Sequence, residues 1–437
     1  MADDDNDRSI LDTLSGTFDS PDSTSETTSE SSSDTSLDGD TVTEVTEKSW
    51  LQRLMDAVVG VLIGLVLVVA TCAGLFWNEG RAVQTARSLA EGGSLVVDVD
   101  AARIDPGNEG KLVHVQGELK VTAPLADPDL LVQAQGARLV RTVEMYQWKE
   151  DKRTETRKKL GGGEETVTTY SYSRVWSDRR NDSSSFHNRS GHENPQMRYA
   201  RFETEARDAT LGAWRPGPAA LRHLPAREEL RVEPAAAEAA RAKLGGTPVH
   251  ASDGRLYLGA DPGSPRVGDL RIAYHVAPAG PASFIGRQAG ADLGEYQTKA
   301  GDRLLMASSG FVPAADMVKQ AEDENRIITW LLRAVFAVFL WCGWYLMIRP
   351  IAVVGDLVPI IGSILDTGAG IAAFLLTVVI APAVIAIAWL WYRPLVSLGV
   401  LAGGAAVALG VRYLARSRAR TRPAAAAGPA AVSSASA

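Results

Sequence analysis

The chain has 437 residues, 46% of them hydrophobic and 22% charged, with a formal net charge of -7. That length can hold one or two domains with a real core, and the charge lacks the concentrated Lys/Arg face that nucleic-acid binding demands. The mean hides a segregation: residues 1–48 carry fourteen Asp/Glu against Arg8 and Lys48, while the remainder carries 43 basic against 38 acidic residues.

In chain order, residues 1–48 are Ser, Thr, Asp, Glu and Gly almost throughout, which predicts a disordered, solvated acidic tail. Residues 57–77 form a run without a single charge. At helical rise that run spans about 30 Å, the thickness of the hydrocarbon core. Trp50 and Trp77 bracket it as interfacial anchors, with Lys48 and Arg53 on its N-terminal flank. A long acidic tail precedes it and no small-residue cleavage site closes it, so it reads as a first transmembrane helix rather than a signal peptide.

The polar middle, residues 80–326, predicts a β-rich α+β domain outside the cytoplasm or in a lumen. Strand-like runs recur at 94–99, 111–121, 138–148, 166–176, 255–258, 269–276 and 282–287. Within 111–121, Leu112, His114 and Gln116 alternate with Val113, Val115 and Gly117, the pattern of a half-buried strand. Runs 138–148 and 166–176 flank a charged stretch ending in Gly161, Gly162 and Gly163, a long hairpin with a mobile tip. Residues 233–244 and 314–325 predict short helices, the second leading straight into the membrane.

Residues 327–348 predict a second span, in which Arg333 snorkels to the headgroups. Residues 353–365 place Val353, Leu357, Ile360, Ile361 and Ile364 at helical spacing opposite Asp356, Ser363 and Asp366. That segment is an amphipathic interfacial helix or a re-entrant one. Spans three and four follow at 370–391 and 395–413, then a basic and finally Ala-rich disordered tail at 414–437. Arg412, Arg416, Arg418, Arg420 and Arg422 put the C-terminal side in the cytoplasm, and four spans bring the N-terminus to the same side. The fold class is a multi-pass α-helical membrane protein with a large β-rich α+β extramembrane domain inserted between the first and second spans.

Few residues suggest chemistry. Cys72 and Cys342 lie at depths differing by roughly 15 Å along their helices, too far apart for a disulfide. His187, His192 and Glu193 with Asp182 approach a metal or acid–base cluster, but the two histidines are five apart in a polar loop rather than one helical turn apart. The bland alternative is a structured turn over 191–195 whose His and Asn bond the backbone. Ser183 to Ser185 lack the Gly-x-Ser-x-Gly elbow of a serine nucleophile, and Gly161 to Gly163 lack the Lys-Ser/Thr of a phosphate loop. Asp356 and Asp366 are acidic groups near membrane depth, which mark a route or a partner contact or else the water-facing side of an interfacial helix. Tyr146, Trp148, Tyr170, Tyr172 and Trp176 form an aromatic cluster that cross-strand packing explains and a partner surface could use. Neither a cofactor, a metal site nor a catalytic constellation is expected.

Several segments occur together in a recognisable order: Trp77-Asn78-Glu79-Gly80-Arg81, Asn108 to Val115, Val143-Glu144-Met145-Tyr146-Gln147-Trp148, Tyr170-Ser171-Tyr172, Gly191 to Pro195, Val267 to Arg271 and Tyr392-Arg393-Pro394-Leu395. In this the chain resembles the LUMA family (transmembrane protein 43 family) over roughly residues 75–400. The resemblance implies four spans, cytoplasmic termini and a luminal or extracytoplasmic domain. It also implies a lipid bilayer and other copies of the chain as partners. Animal members lie in the endoplasmic reticulum and inner nuclear membrane, where they self-associate and organise envelope proteins such as emerin and lamins. The Ala, Gly and Arg bias also fits a bacterial source, for which the cytoplasmic membrane replaces those compartments and only the architecture carries over. The function expected is a non-enzymatic membrane scaffold. The alternative is a sensor or transport component whose outer domain binds a ligand or lipid.

Overall fold

A segment crossing lipid must satisfy its backbone internally, so apolar runs of this length fold as helices. The computed structural model describes residues 35–36, 41–395 and 397–399, with four single positions beyond (402, 409, 410 and 412). Among the described residues, three helices are long and apolar enough to cross a membrane: α1 (Trp50–Leu95), α4 (Ala314–Gly355) and α5 (Pro359–Tyr392). The short helices α2 (Pro218–Leu221) and α3 (Pro234–Lys243) belong to the β-rich domain.

Ser49 starts α1 with a capping box, its Oγ accepting from the Gln52 amide while the Gln52 side chain accepts from the Ser49 amide. Helices α1 and α4 pack antiparallel. They come closest where a Cβ on Gly64 would stand 2.6 Å from the Gly343 carbonyl oxygen, an approach glycine alone permits. Val68, Leu75, Leu340 and Ala381 fill the interior of the bundle.

The helices outrun the expected spans. Residues 57–77 lie inside a helix that continues to Leu95, which leaves only Val97–Val99 of the strand expected at 94–99. The helix expected at 314–325 and the span at 327–348 are one continuous element. The separate amphipathic or re-entrant helix at 353–365 does not form. Its residues are shared between the end of α4, a turn at 356–358 and the first turns of α5. Pro359 takes the first position of α5, where its missing N–H costs nothing, whereas Pro350 and Pro382 lie inside α4 and α5 without ending them. The fourth span expected at 395–413 falls largely outside the described residues, and the tail at 414–437 wholly so. The acidic tail is corrected over Thr41–Lys48, which is a strand: its Thr-Val-Thr-Glu-Val-Thr run is β-branched at five positions and suits an edge.

Two large sheets of the domain enclose its main core, and two two-stranded ladders accompany them among the described residues. The larger, nine-stranded sheet runs in the order 35–36, Thr41–Lys48, Glu164–Ser177, Arg138–Lys158, Leu270–Ala277, Arg255–Leu258 and Val249–Ser252, with two short strands branching from it. The six-stranded sheet centres on the antiparallel pair Leu112–Lys120 and Gly280–Ala289. A period of two aims Leu139, Val143 and Met145 at Val113, Val115 and Phe284, with Trp214 and Tyr274 fully buried among them. The first half of Leu112–Lys120 is buried on both faces rather than one, because Leu89, Met317 and Val318 of α1 and α4 cover Leu112 from the other side.

The expected hairpin is longer than its apolar ends. Its charged middle stays in register, so that Lys158 pairs with Glu164 across a turn at 159–163, and Thr41–Lys48 adds a third strand. Beyond Met145, where Leu270–Ala277 stops pairing, these strands form an arm. From Asp151 to Arg157 every residue of its first strand is exposed. Thirteen residues at strand rise carry the arm about 43 Å, similar to the roughly 39 Å of α1 between Arg53 and Glu79. The arm therefore stands at the height of the apolar bundle, with its tip at the bundle end remote from the domain body.

Candidate functional site at the two ends of the bundle

At the remote end, the turn before Pro359 puts Asp356 at the C-cap of α4, where a carboxylate meets the negative pole of the helix dipole. Burial of that carboxylate, 1% exposed, requires cations, and two arrive. Arg53 Nη2 of α1 donates to Oδ2 at 2.6 Å, and Lys158 Nζ of the arm to Oδ1 at 2.8 Å. Arg53 also pairs through Nε with Glu164 at 2.7 Å and donates through Nη1 to the Gly162 carbonyl at 2.7 Å. The indole of Trp50 donates to the Val353 carbonyl. Two glycines make room: a Cβ on Gly362 would fall 1.6 Å from Asp356 Oδ1, and one on Gly162, whose φ is +82°, would fall 2.5 Å from the Trp50 ring. The tip of the arm is thus fixed, not mobile, and Asp356 is not on a water-facing side.

At the end nearer the domain, a second polar layer forms a collar. Glu79 is 2% exposed and takes both Arg333 Nε and Nη2 at 2.7 Å, while the Trp389 indole donates to its Oε2 at 2.8 Å. One carboxylate so ties α1, α4 and α5. Asn78 donates to the Thr329 carbonyl, and Arg81 to Asn325 and Thr329. Arg333 therefore gives its Nε and Nη2 to a carboxylate of a neighbouring helix. Asp366 lies between the two layers and accepts from the Tyr345 hydroxyl at 2.7 Å, so Asp356 and Asp366 belong to separate contacts.

The remaining expected residues gather at the base of the arm. His192, 4% exposed, stacks on Tyr172 at 4.0 Å and meets the Trp148 ring edge-on at 4.7 Å, while His187 stacks on Tyr170. Glu193 is exposed. Tyr146 packs on Trp176, its cross-strand neighbour. In the 191–195 turn Asn194 performs the expected backbone bonding, accepting from the Trp148 amide and donating to its carbonyl. The His192 amide donates to the Arg189 carbonyl while its ring packs between those of Tyr172 and Trp148. Among the described residues, no three His, Cys, Asp or Glu side chains are placed to hold a metal ion.

Sequence reading missed two networks. The Glu79–Arg333 pair was foreshadowed only by one acidic and one basic residue flanking two different apolar runs. Inside the domain, Asp127 accepts from Arg141 at 2.7 Å and from the Tyr274 hydroxyl at 2.6 Å. Burial first, then that hydrogen bond, raises the Tyr274 phenol well above its ordinary value. Asp127 and Tyr274 are both at 0% exposure, a structural network closed to any substrate.

The sequence profile described as Transmembrane protein 43 matches residues 145–394, a stretch that includes Lys158, Glu164, Arg333, Asp356 and Trp389. Transmembrane protein 43 of Mus musculus is 31% identical over 366 residues, covering 81% of this chain and 90% of its own. The Homo sapiens protein is 31% identical over 375 residues, covering 83% and 91%. The Drosophila melanogaster homolog is 29% identical over 356 residues, covering 79% and 92%. No solved structure matches.

Proposed function

This chain belongs to the transmembrane protein 43 family, and on that premise we propose that it is a non-enzymatic, self-associating scaffold that organises other membrane proteins of its envelope. The protein is an integral membrane protein. The scaffold reading rests on one observation, the polar arm standing at the height of the apolar bundle. A sheet with open edges and charged faces cannot lie bare in hydrocarbon; at membrane depth it must be covered by protein or line water. Tyr146 still bonds the 268–269 backbone and Trp148 is capped by Asn194, but beyond Trp148 one edge of the arm lacks a partner strand among the described residues, and such an edge accepts another chain. Other copies or partner proteins supply both the cover and the edge. In this reading the remote end of the bundle faces the cytoplasm, as the arginines after residue 411 favour.

The test is the size of the detergent-solubilised full chain. Oligomers that dissociate when arm residues 150–157 and 165–172 are deleted support the proposal. A monomer at high concentration, with no co-purifying protein, contradicts it.

A second reading is favoured by the Asp356 contact, which joins arm and membrane helices and suits a sensor passing an outer signal inward. If an Asp356→Asn, Asp366→Asn double variant leaves liposome flux and ligand-induced stabilisation unchanged, that reading falls.

A further inference from the structure

We propose that the collar binds the phosphate of an anionic phospholipid headgroup in a cavity between α1, α4 and α5. The cavity encloses about 480 Å³ and is lined by Glu79, Arg326, Thr329, Trp330, Arg333 and Arg393, among others. Its height relative to a bilayer follows from tryptophan placement. Trp77, Trp330 and Trp391 are 58%, 63% and 75% exposed. All three sit at one level of the bundle, because their chain neighbours Asn78, Thr329, Gly80 and Tyr392 touch one another. Exposed indoles in such a ring mark the headgroup layer of a membrane.

The charge at that level favours an anion. Arg81, Arg87, Arg326, Arg333 and Arg393 gather there against the carboxylates of Glu79, Glu322 and Asp323. Glu79 is consumed by Arg333 in a bidentate pair that holds the back wall rigid. Arg326 is paired only with exposed Asp323, and Arg393 has no ion pair among the described residues. Arg393 caps the end of α5, so its guanidinium enters the lining without distorting a helix. Glu322 stands exposed at the rim, where water screens it. Two arginines facing one opening can hold a phosphodiester by paired N–H donation, which a lysine point charge does less well. The adjacent apolar surface of α4 and α5, Leu331 and Leu390 among it, is exposed and receives the acyl chains.

The experiment uses the full chain in detergent, with native mass spectrometry counting phospholipids that stay bound. Phosphatidylglycerol, phosphatidylcholine and inorganic phosphate are offered separately. The expected result is preferential retention of phosphatidylglycerol, weakened about tenfold in an Arg326→Ala, Arg393→Ala double variant. The Arg326→Lys, Arg393→Lys variant should recover part of the loss, which separates charge recognition from misfolding. Equal retention of phosphatidylglycerol and phosphatidylcholine overturns the proposal, as does retention unaffected by the alanines. Displacement of the lipid by inorganic phosphate would reassign the site to a free anion and likewise overturn it.

Discussion

The collar and the tip are both buried ionic layers at opposite ends of one bundle, and they differ in what each charge belongs to. At the collar, Glu79, Arg333 and Trp389 all come from the three long helices, so the layer is part of the packing that holds them together. At the tip, Arg53 and Asp356 come from helices while Lys158 and Glu164 come from an arm whose exposed strand has little packing of its own. Breaking the first should unfold the bundle. Breaking the second should free the arm and leave the bundle standing.

The largest effect belongs to Glu79→Gln, which strands the Arg333 guanidinium in the interior and should cost about 3–5 kcal/mol. A lowered thermal midpoint in detergent would show it. Replacing both partners, Glu79→Leu with Arg333→Leu, should recover most of that loss, since a buried pair is often no more stable than its apolar replacement. If the double variant is as unstable as the single one, the collar does more than hold helices together.

Asp356→Asn comes next. It removes the negative charge that Arg53 and Lys158 share, exchanges one acceptor oxygen for a donor, and should weaken the tip by about 1–3 kcal/mol. The main unfolding transition should stay in place, while trypsin gains access to Lys158 and Lys159. A shift of the main transition equal to that of Glu79→Gln would erase the distinction between the two ends. Gly362→Ala should act in the same direction, because a Cβ there would drive the Asp356 carboxylate aside and press on its Cα as well.

The smallest effect is confined to the domain body and is read as a pH dependence that begins only in the alkaline range. The raised Tyr274 phenol keeps its proton in the folded state at pH values where an unfolded tyrosine loses it. Its contribution is full below pH 10.0, the ordinary value, and is lost as pH rises above it. Alkaline unfolding should therefore coincide with the appearance of phenolate absorbance from this residue. In Tyr274→Phe that portion of the pH dependence should disappear.

Much of this architecture is legible because hydrocarbon thickness writes long signals. The apolar runs located α1, α4 and α5, and period-two alternation located Arg255–Leu258 and the apolar part of Arg138–Lys158. Hydropathy stops where the lipid stops, so it could not see that α1 continues to Leu95, whereas the start of α4 at Ala314 was legible in the helix expected at 314–325. The apolar positions of 353–365 share helical spacing, but the chain turns at 356–358 and Pro359 opens the next helix. Asp356 stood out by its cost near a membrane. Its partners did not, because Arg53 and Lys158 lie 303 and 198 residues away and only the closed fold brings them together. His192 and Glu193 drew notice as chemistry by type. Their neighbours, the rings of Trp148 and Tyr172, make His192 part of an aromatic stack.

The contact between arm and bundle can be tested without altering the chain. Native membranes treated with an apolar carbodiimide should yield an isopeptide bond between Lys158 and Asp356, whose nitrogen and oxygen are 2.8 Å apart. The neighbouring pair Lys159 and Glu165, at 2.8 Å within the hairpin itself, reports that the reagent has reached the tip. Both bonds together are the predicted result. The hairpin bond alone, with Lys158 and Asp356 never joined, would contradict an arm that reaches the remote end of the bundle.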